Sequence, residues 1–230
     1  MKDGTQRFSK SICALGTDAF DRLRRLKIAV FGVGGVGSWA AEALVRTGCA
    51  NVTLIDFDTI SESNINRQVH ANAKTVGLMK ANVMKERLCE INPDASIDAF
   101  CERYPSSKID LASFDFIVDA IDSVADKADL IIAAAEKNVP LVSSMGAALR
   151  TDPAKICVKP FRKIEGDALA RALRRKFKEK SFARLDFKCA VSSEIPLKRG
   201  ERASLMTVTA SFGMALAGEV ICLACRSRTE

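Results

Sequence analysis

The chain has 230 residues, a formal net charge of +7, eight cysteines and one histidine. This length favours one α/β domain with a substantial core over two full domains. Residues 1–25 carry charges throughout and lack the apolar run of a secretory signal, so we expect a cytoplasmic protein. In such a protein, the cysteines indicate mostly buried thiols and exclude a small disulfide-built secreted scaffold.

The positive charge is concentrated in one part of the chain. Between residues 155 and 202 there are 15 Lys and Arg against six Asp and Glu, a surplus of +9, so the rest of the chain sums to −2. Such a patch can bind the phosphate backbone of a nucleic acid. It can equally be a solvated helix face that keeps the protein soluble, and charge alone leaves both interpretations open.

The N-terminal segment 7–26 predicts a short amphipathic element, a turn at 16–18 and a helix over 19–26. Such an arm can pack on its own domain or reach across a dimer. Its candidate functional cations are Arg7 and Lys10, for which an ordinary surface role is the alternative.

A glycine cluster follows the first predicted strand. The apolar run 28–31 has the length and residue types of a strand, and it stops at Gly32, Gly34, Gly35 and Gly37. Residues 38–45 favour a helix, which Gly48 closes. In a strand–loop–helix nucleotide site, one glycine permits the tight turn, one admits a phosphate and one lets the helix pack on the strand. The N-terminus of the helix also attracts anions.

A second predicted strand, 52–55, ends on Asp56, 19 residues past Gly37. A carboxylate at this place can accept hydrogen bonds from ribose hydroxyls. Strand, loop, helix, strand and acid therefore occur in the order of a nucleotide site. This stretch alone does not distinguish a dinucleotide from ATP.

A polar segment separates Asp56 from the next predicted helix, 78–91, where an ordinary NAD-binding protein has a short connection. Asn64, Arg67 and Gln68 form a dense donor cluster that suits a phosphate-facing loop. Lys80 lies in the first turn of the helix, where the helix dipole disfavours a cation. A nearby anion would remove that conflict, so Lys80 is a candidate phosphate ligand, with an exposed surface lysine as the alternative.

Further strands at 95–100, 114–120 and 140–144, with a helix over 127–137, predict a Rossmann-like, doubly wound and mostly parallel sheet. Ligands of such sheets bind at the carboxyl ends of the strands. Asp122 follows a strand end and is placed to hold a divalent metal that also binds substrate phosphates. Its alternative is an N-cap of the next helix, which Asp122 or Ser123 could provide.

Residues 151–202 interrupt the regular alternation of strands and helices. A strand at 155–158, a basic helix over 167–180 and a short strand at 186–191 predict a basic insertion lobe with weak internal hydrophobicity.

The segment 203–225 predicts a long apolar helix. Glu219 and the small residues favour a core or dimer helix over a membrane span. Cys222 and Cys225 form half of a zinc site, but no second pair completes it. Both are therefore expected to be core thiols. His70, the only histidine, is expected to have a hydrogen-bonded structural role rather than an acid–base one.

Four ordered motifs, GVGGVGS, DFDTISESNINRQ, VGLMK and DAIDS, resemble the adenylating family that includes the ThiF and MoeB type proteins and the ubiquitin-activating enzymes. The resemblance covers about residues 7–146. The stretches NRQVHA, VGLMKA, DAIDSV, FKCAVSSE and TVTASFG are most similar to one branch of that family, the tRNA threonylcarbamoyladenosine dehydratases.

The resemblance implies a single ThiF-type ATP-binding domain over 1–230, working as a homodimer. A carboxylate attacks the α-phosphorus of ATP, pyrophosphate leaves and an acyl-adenylate forms. Arg67, Lys80 and Asp122 are its implied catalytic residues, with Asp122 on Mg²⁺. The implied nucleotide-binding residues are Gly32, Gly34, Gly35, Gly37, Asp56, Asp58, Asn64, Arg67, Gln68, Lys80 and Asp122.

In the dehydratase branch, the activated carboxylate belongs to a modified adenosine of tRNA, and an internal nucleophile closes a ring with loss of AMP. The basic lobe is then expected to bind the tRNA. Where protein-activating relatives often use an arginine of the N-terminal arm, this chain has Lys10, with Arg7 nearby. Cys189 lies near a position where such relatives present a nucleophile, but ring closure needs no enzyme thiol, so a buried thiol is favoured.

Two alternative functions are kept. One is an adenylating activator of a sulfur-carrier or ubiquitin-like protein, against which the missing second C-x-x-C pair counts. The other is an NAD-dependent oxidoreductase, against which the phosphate-binding donors count. The sequence leaves open whether a monovalent cation binds, whether an unidentified sulfur-transfer partner exists, and whether 151–202 is ordered without tRNA.

Overall fold

The computed structural model describes residues 6–106, 108–198 and 203–226. Within these ranges the strands are β1 (Lys27–Phe31), β2 (Asn51–Ile55), β3 (Ser96–Phe100), β4 (Phe116–Asp119), β5 (Leu141–Ser144), β6 (Ile156–Pro160) and β7 (Lys188–Ser192). The α-helices are α1 (Ser9–Leu15), α2 (Thr17–Arg25), α3 (Gly37–Thr47), α4 (Lys80–Ile91), α5 (Val124–Glu136), α6 (Ala168–Glu179) and α7 (Met206–Cys225).

The strands form one seven-stranded sheet in the order β3-β2-β1-β4-β5-β7-β6. Every neighbouring pair is parallel except β6 and β7, which are antiparallel. The direction of strand order reverses between β1 and β4, which makes their carboxyl ends the topological switch point where such sheets bind ligands. The prediction of a doubly wound, mostly parallel sheet is confirmed.

Helix boundaries differ from the predicted ones where capping decides them. The helix predicted at 127–137 begins at Val124, because Ser123 occupies the N-cap position and its hydroxyl accepts from the backbone N–H of Asp126. The turn predicted at 16–18 contracts to Gly16, whose φ of +79° lets α1 and α2 follow each other directly.

The segment predicted as a basic insertion lobe is instead part of the main sheet. β7 pairs with β5, and β6 pairs with β7, so the described residues of 151–202 extend the sheet rather than leave it. Phe161 and Phe177 pack in one cluster with Ile131 of α5. The expectations of an insertion lobe and of weak internal hydrophobicity are therefore wrong for these residues. The many basic residues of α6 made the segment look polar, although one face of this helix is apolar and buried.

The last helix, α7, packs along α3 and closes the core. Gly213 permits the contact, since a Cβ there would lie 2.5 Å from the carbonyl oxygen of Val36 and 2.8 Å from Cβ of Trp39. Among the described helices α7 is long and apolar enough to cross a membrane, yet half of its apolar stretch is buried inside the protein. This confirms the predicted core helix.

Phe177→Ala should destabilise the whole chain. Phe177 is 2 % exposed and packs edge-on against Phe161, with ring centroids 5.5 Å apart. Its truncation should lower the free energy of unfolding by about 3 to 5 kcal/mol. Because α6 shares its core with the sheet, urea denaturation followed by circular dichroism should still give one transition.

The control for this experiment is Phe57→Ala, at a position 51 % exposed, which should shift the denaturation midpoint much less. A separate early transition in Phe177→Ala, with the remainder unfolding as in the wild type, would contradict a shared core.

Candidate active site

The glycine loop after β1 lies at the switch point and packs tightly against the sheet at Gly32 and Gly37. Gly32 has φ +82°, and a Cβ there would lie 2.8 Å from the carbonyl oxygen of Ala120, the residue after β4. A Cβ on Gly37 would lie 1.8 Å from the carbonyl oxygen of Gly32. By contrast, a Cβ on Gly34 would meet only the side-chain nitrogen of Gln68, at 3.9 Å, among the described residues. The loop is therefore closed toward the sheet and open toward a ligand.

Asp56 joins the loop to β2. Its Oδ2 accepts a hydrogen bond from the backbone N–H of Val33 at 2.6 Å, and its Oδ1 accepts from the N–H of Asp58 at 2.9 Å. Burial raises the pKa of this carboxyl, although these hydrogen bonds and the nearby Lys80 oppose the rise. The predicted ribose acid thus also fixes the shape of the glycine loop.

The polar segment lies against the glycine loop. The stem of Arg67 lies next to Gly35, since a Cβ there would be 3.2 Å from Cγ of Arg67. The Nη1 of Arg67 donates to the carbonyl oxygen of Ser63 at 2.8 Å, and Trp39 of α3 donates to the carbonyl oxygen of Arg67 at 3.0 Å. These contacts hold the stem of Arg67 beside the loop and its guanidinium on the polar segment.

Asn64 and Gln68 are both buried, but in different ways. Asn64 forms a capping box with Ser61, so its side chain stabilises the short 3₁₀ helix Glu62–Asn64. Gln68 is 5 % exposed and its Oε1 has no hydrogen-bond partner within the described residues. Because a buried amide oxygen normally has a donor, Gln68 has capacity for a ligand or a water molecule, whereas Asn64 is already engaged.

Lys80 is the first residue of α4, and Asp58 neutralises it. Its Nζ lies 2.6 Å from Oδ2 of Asp58, and its backbone N–H donates to the carbonyl oxygen of Asp58 at 3.0 Å. The conflict between this cation and the helix dipole is therefore relieved inside the protein. Lys80 is 7 % exposed, so the alternative of an exposed surface lysine is wrong.

Asp122 is exposed after the end of β4 and is not the helix cap, since Ser123 holds that position. Within the described residues, no group of three or more His, Cys, Asp or Glu side chains could hold a metal ion. An Mg²⁺ ion at Asp122 would therefore take most of its oxygen ligands from substrate phosphates and water, which is its usual mode of binding.

Several other candidates lie outside this cleft. Cys189 is fully buried in β7, and burial raises the pKa of its thiol well above the ordinary value, so the nucleophilic thiolate form is disfavoured. This agrees with the favoured buried thiol. Arg7 pairs with Asp94 of its own chain at 3.1 Å, while Lys10 is exposed on α1.

The prediction that Cys222 and Cys225 are core thiols is wrong. Both side chains are exposed in the last turns of α7. The apolar run of the sequence does not reveal which helix face is covered, and α7 buries only one of its faces.

His70 is buried as predicted, at 2 % exposure, but neither ring nitrogen has a hydrogen-bond partner in the described part of the chain. The expected hydrogen bonding of the ring is therefore absent from these residues. Burial, reinforced by the charges of Lys80 and Arg87, lowers the pKa of His70 to about 4, so the ring is neutral near pH 7.

Two buried ion pairs at this edge of the sheet were not predicted. Lys127 pairs with Asp119 at 2.7 Å, and Arg150 pairs with Asp167 at 3.1 Å, all four side chains being at most 2 % exposed. The sequence signal for the first pair was Lys127, a lone lysine among the apolar residues of a helix. Such a lysine can be predicted as buried only if the carboxylate that pairs with it is known.

These contacts define a Rossmann-like nucleotide-binding protein whose cleft combines cationic side chains with the exposed carboxylate of Asp122. Comparison with known proteins gives the family. The chain belongs to the ThiF family, whose model matches residues 8–230.

Named relatives are similar over most of the chain. It is 39 % identical to the tRNA threonylcarbamoyladenosine dehydratase of Escherichia coli over 198 residues, 82 % of this chain and 74 % of the relative. It is 37 % identical to that of Bacillus subtilis over 175 residues, 75 % of this chain and 69 % of the relative. The crystal structure of the E. coli enzyme TcdA in complex with ATP superimposes with a TM-score of 0.90 at 35 % identity, covering 97 % of this chain and 96 % of that one.

Acidification should destabilise the protein partly through His70. Its pKa is about 4 in the folded chain against 6.5 ordinarily. Below pH 6.5 the His70 ring of the unfolded chain binds a proton, whereas the ring in the folded chain stays neutral down to about pH 4. Stability is thus complete above pH 6.5 and falls between pH 6.5 and 4, by up to about 3 kcal/mol.

The measurement is urea denaturation of the wild type and of His70→Gln at several pH values across this window. The difference in unfolding free energy between the two proteins should shrink as the pH falls. A difference that stays constant from pH 7 to 4 would contradict a neutral buried ring.

Proposed function

We propose that the chain is an ATP-dependent tRNA threonylcarbamoyladenosine dehydratase. It adenylates the carboxylate of threonylcarbamoyladenosine in tRNA, and an internal nucleophile then closes the cyclic form with release of AMP. The observation that carries the proposal is the end-to-end likeness to a dehydratase structure that holds ATP. The cleft supports it, because the glycine loop is open at Gly34, lies next to the stem of Arg67 at Gly35, and touches at Gly32 the turn that leads to Asp122.

The residue roles follow from the charge that develops during the transfer. As the carboxylate oxygen attacks the α-phosphorus and pyrophosphate leaves, negative charge on the phosphates must be stabilised where water is excluded. Arg67 supplies most of the fixed positive charge. Lys80 contributes less, because Asp58 already offsets its charge, and Asp56 holds the ribose. Asp122 would hold Mg²⁺, which neutralises phosphate oxygens when bound.

The remaining predicted nucleotide ligands have less direct roles in this proposal. Asn64 shapes the segment that carries Arg67, and Asp58 holds Lys80 in place. Gln68 places its side-chain amide nitrogen beside Gly34, and within the described residues its Oε1 has no hydrogen-bond partner. The binding of a monovalent cation stays a prediction, which repeating the assay in K⁺, Na⁺ and choline buffers would test.

The tRNA surface is proposed on the exposed face of α6 and not on every basic residue of the segment. Arg174 is committed to the fold, since its guanidinium donates to the carbonyl oxygen of Phe161 at 3.1 Å and lies 5.2 Å from that ring. Arg171, Arg175 and Lys178 are exposed on the same helix and are available for phosphates.

We further propose a cytoplasmic homodimer made of single ThiF-type domains over 1–230, without membrane contact. Support for a second copy comes from α7, where Met206 and Met214 are each 46 % exposed. A sulfur-transfer partner protein stays unidentified.

The decisive assay supplies ATP, Mg²⁺ and tRNA that carries the threonylcarbamoyl group. We expect stoichiometric pyrophosphate and AMP release and a cyclic modified adenosine by nucleoside mass spectrometry. Arg67→Ala and Asp122→Ala should each lower the rate by about 100-fold or more, since each removes charge stabilisation of the transition state. Both variants should keep the wild-type melting temperature, because neither side chain belongs to the core.

The alternatives give different results in the same assay. Equal turnover with unmodified tRNA would refute the dehydratase. Pyrophosphate exchange driven by a small protein ending in Gly-Gly would favour the protein activator, and retention of NAD would favour the oxidoreductase. Near wild-type turnover in either variant would refute the role of that residue.

Replacing Arg171, Arg175 and Lys178 by Gln should weaken tRNA binding. Loss of phosphate contacts should also flatten the salt dependence of the binding constant, with a decrease of up to about 0.7 to 0.9 in the log–log slope for each contact removed. The affinity for ATP should not change. The measurement is filter binding of tRNA between 50 and 200 mM salt, that is, over roughly the range where such contacts dominate.

The matched control for the basic face replaces Arg162, Lys176 and Lys180, which already pair with acidic residues of the chain. It removes the same charge and should affect tRNA binding less. Equal effects of the two triple variants would mean that the net charge, and not the face of α6, decides the binding.

A further inference from the structure

A polar group lies wholly buried behind the glycine loop. Asp119 ends β4, Lys127 lies near the start of α5, and Ser143 lies in β5; each is 0 % exposed. The Oδ2 of Asp119 accepts hydrogen bonds from Nζ of Lys127 and from Oγ of Ser143, both at 2.7 Å. Lys127 also donates to Oγ of Ser143 at 3.1 Å. We call these three residues the buried triad.

The triad is connected to the cleft through the turn 120–122. The second carboxylate oxygen of Asp119, Oδ1, accepts from the backbone N–H of Ile121 at 3.0 Å. The backbone N–H of Ala120 donates to the carbonyl oxygen of Phe31, the residue before the glycine loop, at 2.8 Å. Asp119 therefore holds the middle of a turn whose first residue is bonded to β1.

This turn touches the glycine loop at one end and carries Asp122 at the other. The Cβ of Ala120 lies 3.2 Å from the position that a Cβ on Gly37 would take. The carbonyl oxygen of Ala120 lies 2.8 Å from the position that a Cβ on Gly32 would take. These contacts leave little room for the turn to move toward the loop. A displacement of the turn would therefore change the position of Asp122 relative to the loop.

Stability alone is a poor reason for the buried triad. Desolvation of two buried charges roughly offsets their attraction, and apolar replacements of such groups are often neutral or stabilising. Lys127 is also placed near the positive end of the α5 dipole, which disfavours it. What apolar side chains could not do is bond the N–H of Ile121.

We propose that Asp119, Lys127 and Ser143 are positioning residues that fix the turn 120–122 and thereby set Asp122 against the glycine loop. The inference rests on the proposed function, in which Asp122 would hold Mg²⁺. It names residues that act on adenylation through the position of Asp122, without touching the nucleotide. A misplacement of about 1 Å can lower a rate about 100-fold. Loss of the triad should therefore lower the turnover rate much more than it lowers the stability of the fold.

The test replaces the whole triad by apolar residues, Asp119→Val, Lys127→Met and Ser143→Ala, so that no buried charge is left alone. We expect a melting temperature close to the wild type. We also expect faster amide hydrogen exchange at Ile121, at least about tenfold lower kcat for pyrophosphate release, a higher Mg²⁺ requirement and a nearly unchanged KM for ATP.

The control is the double variant Lys188→Met and Glu219→Leu. It removes an ion pair that lines an apolar cavity at the opposite edge of the sheet. This variant should retain wild-type turnover and wild-type exchange at Ile121. If it slows the reaction as much as the triad variant, the effect is a general loss of packing and the proposal is wrong.

The remaining outcomes are also decisive. Wild-type exchange and turnover in the triad variant would overturn the proposal. If that variant does not fold, Ser143→Ala alone should show the same changes to a smaller degree, and their absence would overturn it. If the wild-type protein forms no adenylate, the proposed function fails, whereas exchange at Ile121 still decides whether the triad holds the turn.

Discussion

The close approach of β1, β4 and α3 at the glycine loop determines most of what surrounds it. A Cβ on Gly37 would lie 1.8 Å from the carbonyl oxygen of Gly32, and one on Gly32 would lie 2.8 Å from that of Ala120. Because atoms cannot overlap, these positions must lack side chains, and the start of α3 is thereby placed directly behind β1. Among the described residues, the side of the loop at Gly34 is then left open for a ligand.

Residues around this contact combine structural and chemical roles. Asp56 shapes the loop through the N–H of Val33, and it is also the carboxylate that we propose for the ribose. Lys80 is held by Asp58 at the start of α4, so its charge is fixed before any phosphate arrives. Such fixed groups need little reorganisation during reaction, which is how polar sites stabilise charge effectively. The same arrangement explains why substitutions here need a stability control.

The sequence predicted the first half of the fold well because its signals are local. Strand, glycine loop, helix and acid follow one another within 30 residues, and each depends on its neighbours along the chain. The second half depends on pairing between distant strands, β5 with β7 and β7 with β6. No local pattern reveals that pairing, so the segment resembled a separate lobe.

The candidate site shows the same division. The residue types in the glycine loop, Asp56 and Arg67 predicted a phosphate cleft, and their packing together agrees with it. The carboxylates that pair with Lys80 and Lys127 could not be predicted, because each carboxylate lies on a different structural element from its lysine. The exposure of Cys222 also depended on which face of α7 meets α3.

Internal pairing of charges has a consequence for how a triphosphate would bind. Lys80, Lys127 and Arg150 each already face a carboxylate, so the positive charge that the cleft adds against phosphates comes mainly from Arg67 and from backbone N–H groups. Asp122 is exposed in the turn that follows β4, and its charge would repel a bare triphosphate bound at the loop. Under the proposed function, a divalent cation would convert that repulsion into attraction, because it could bind carboxylate and phosphate together. The metal would then contribute to nucleotide recognition as well as to the proposed chemical step.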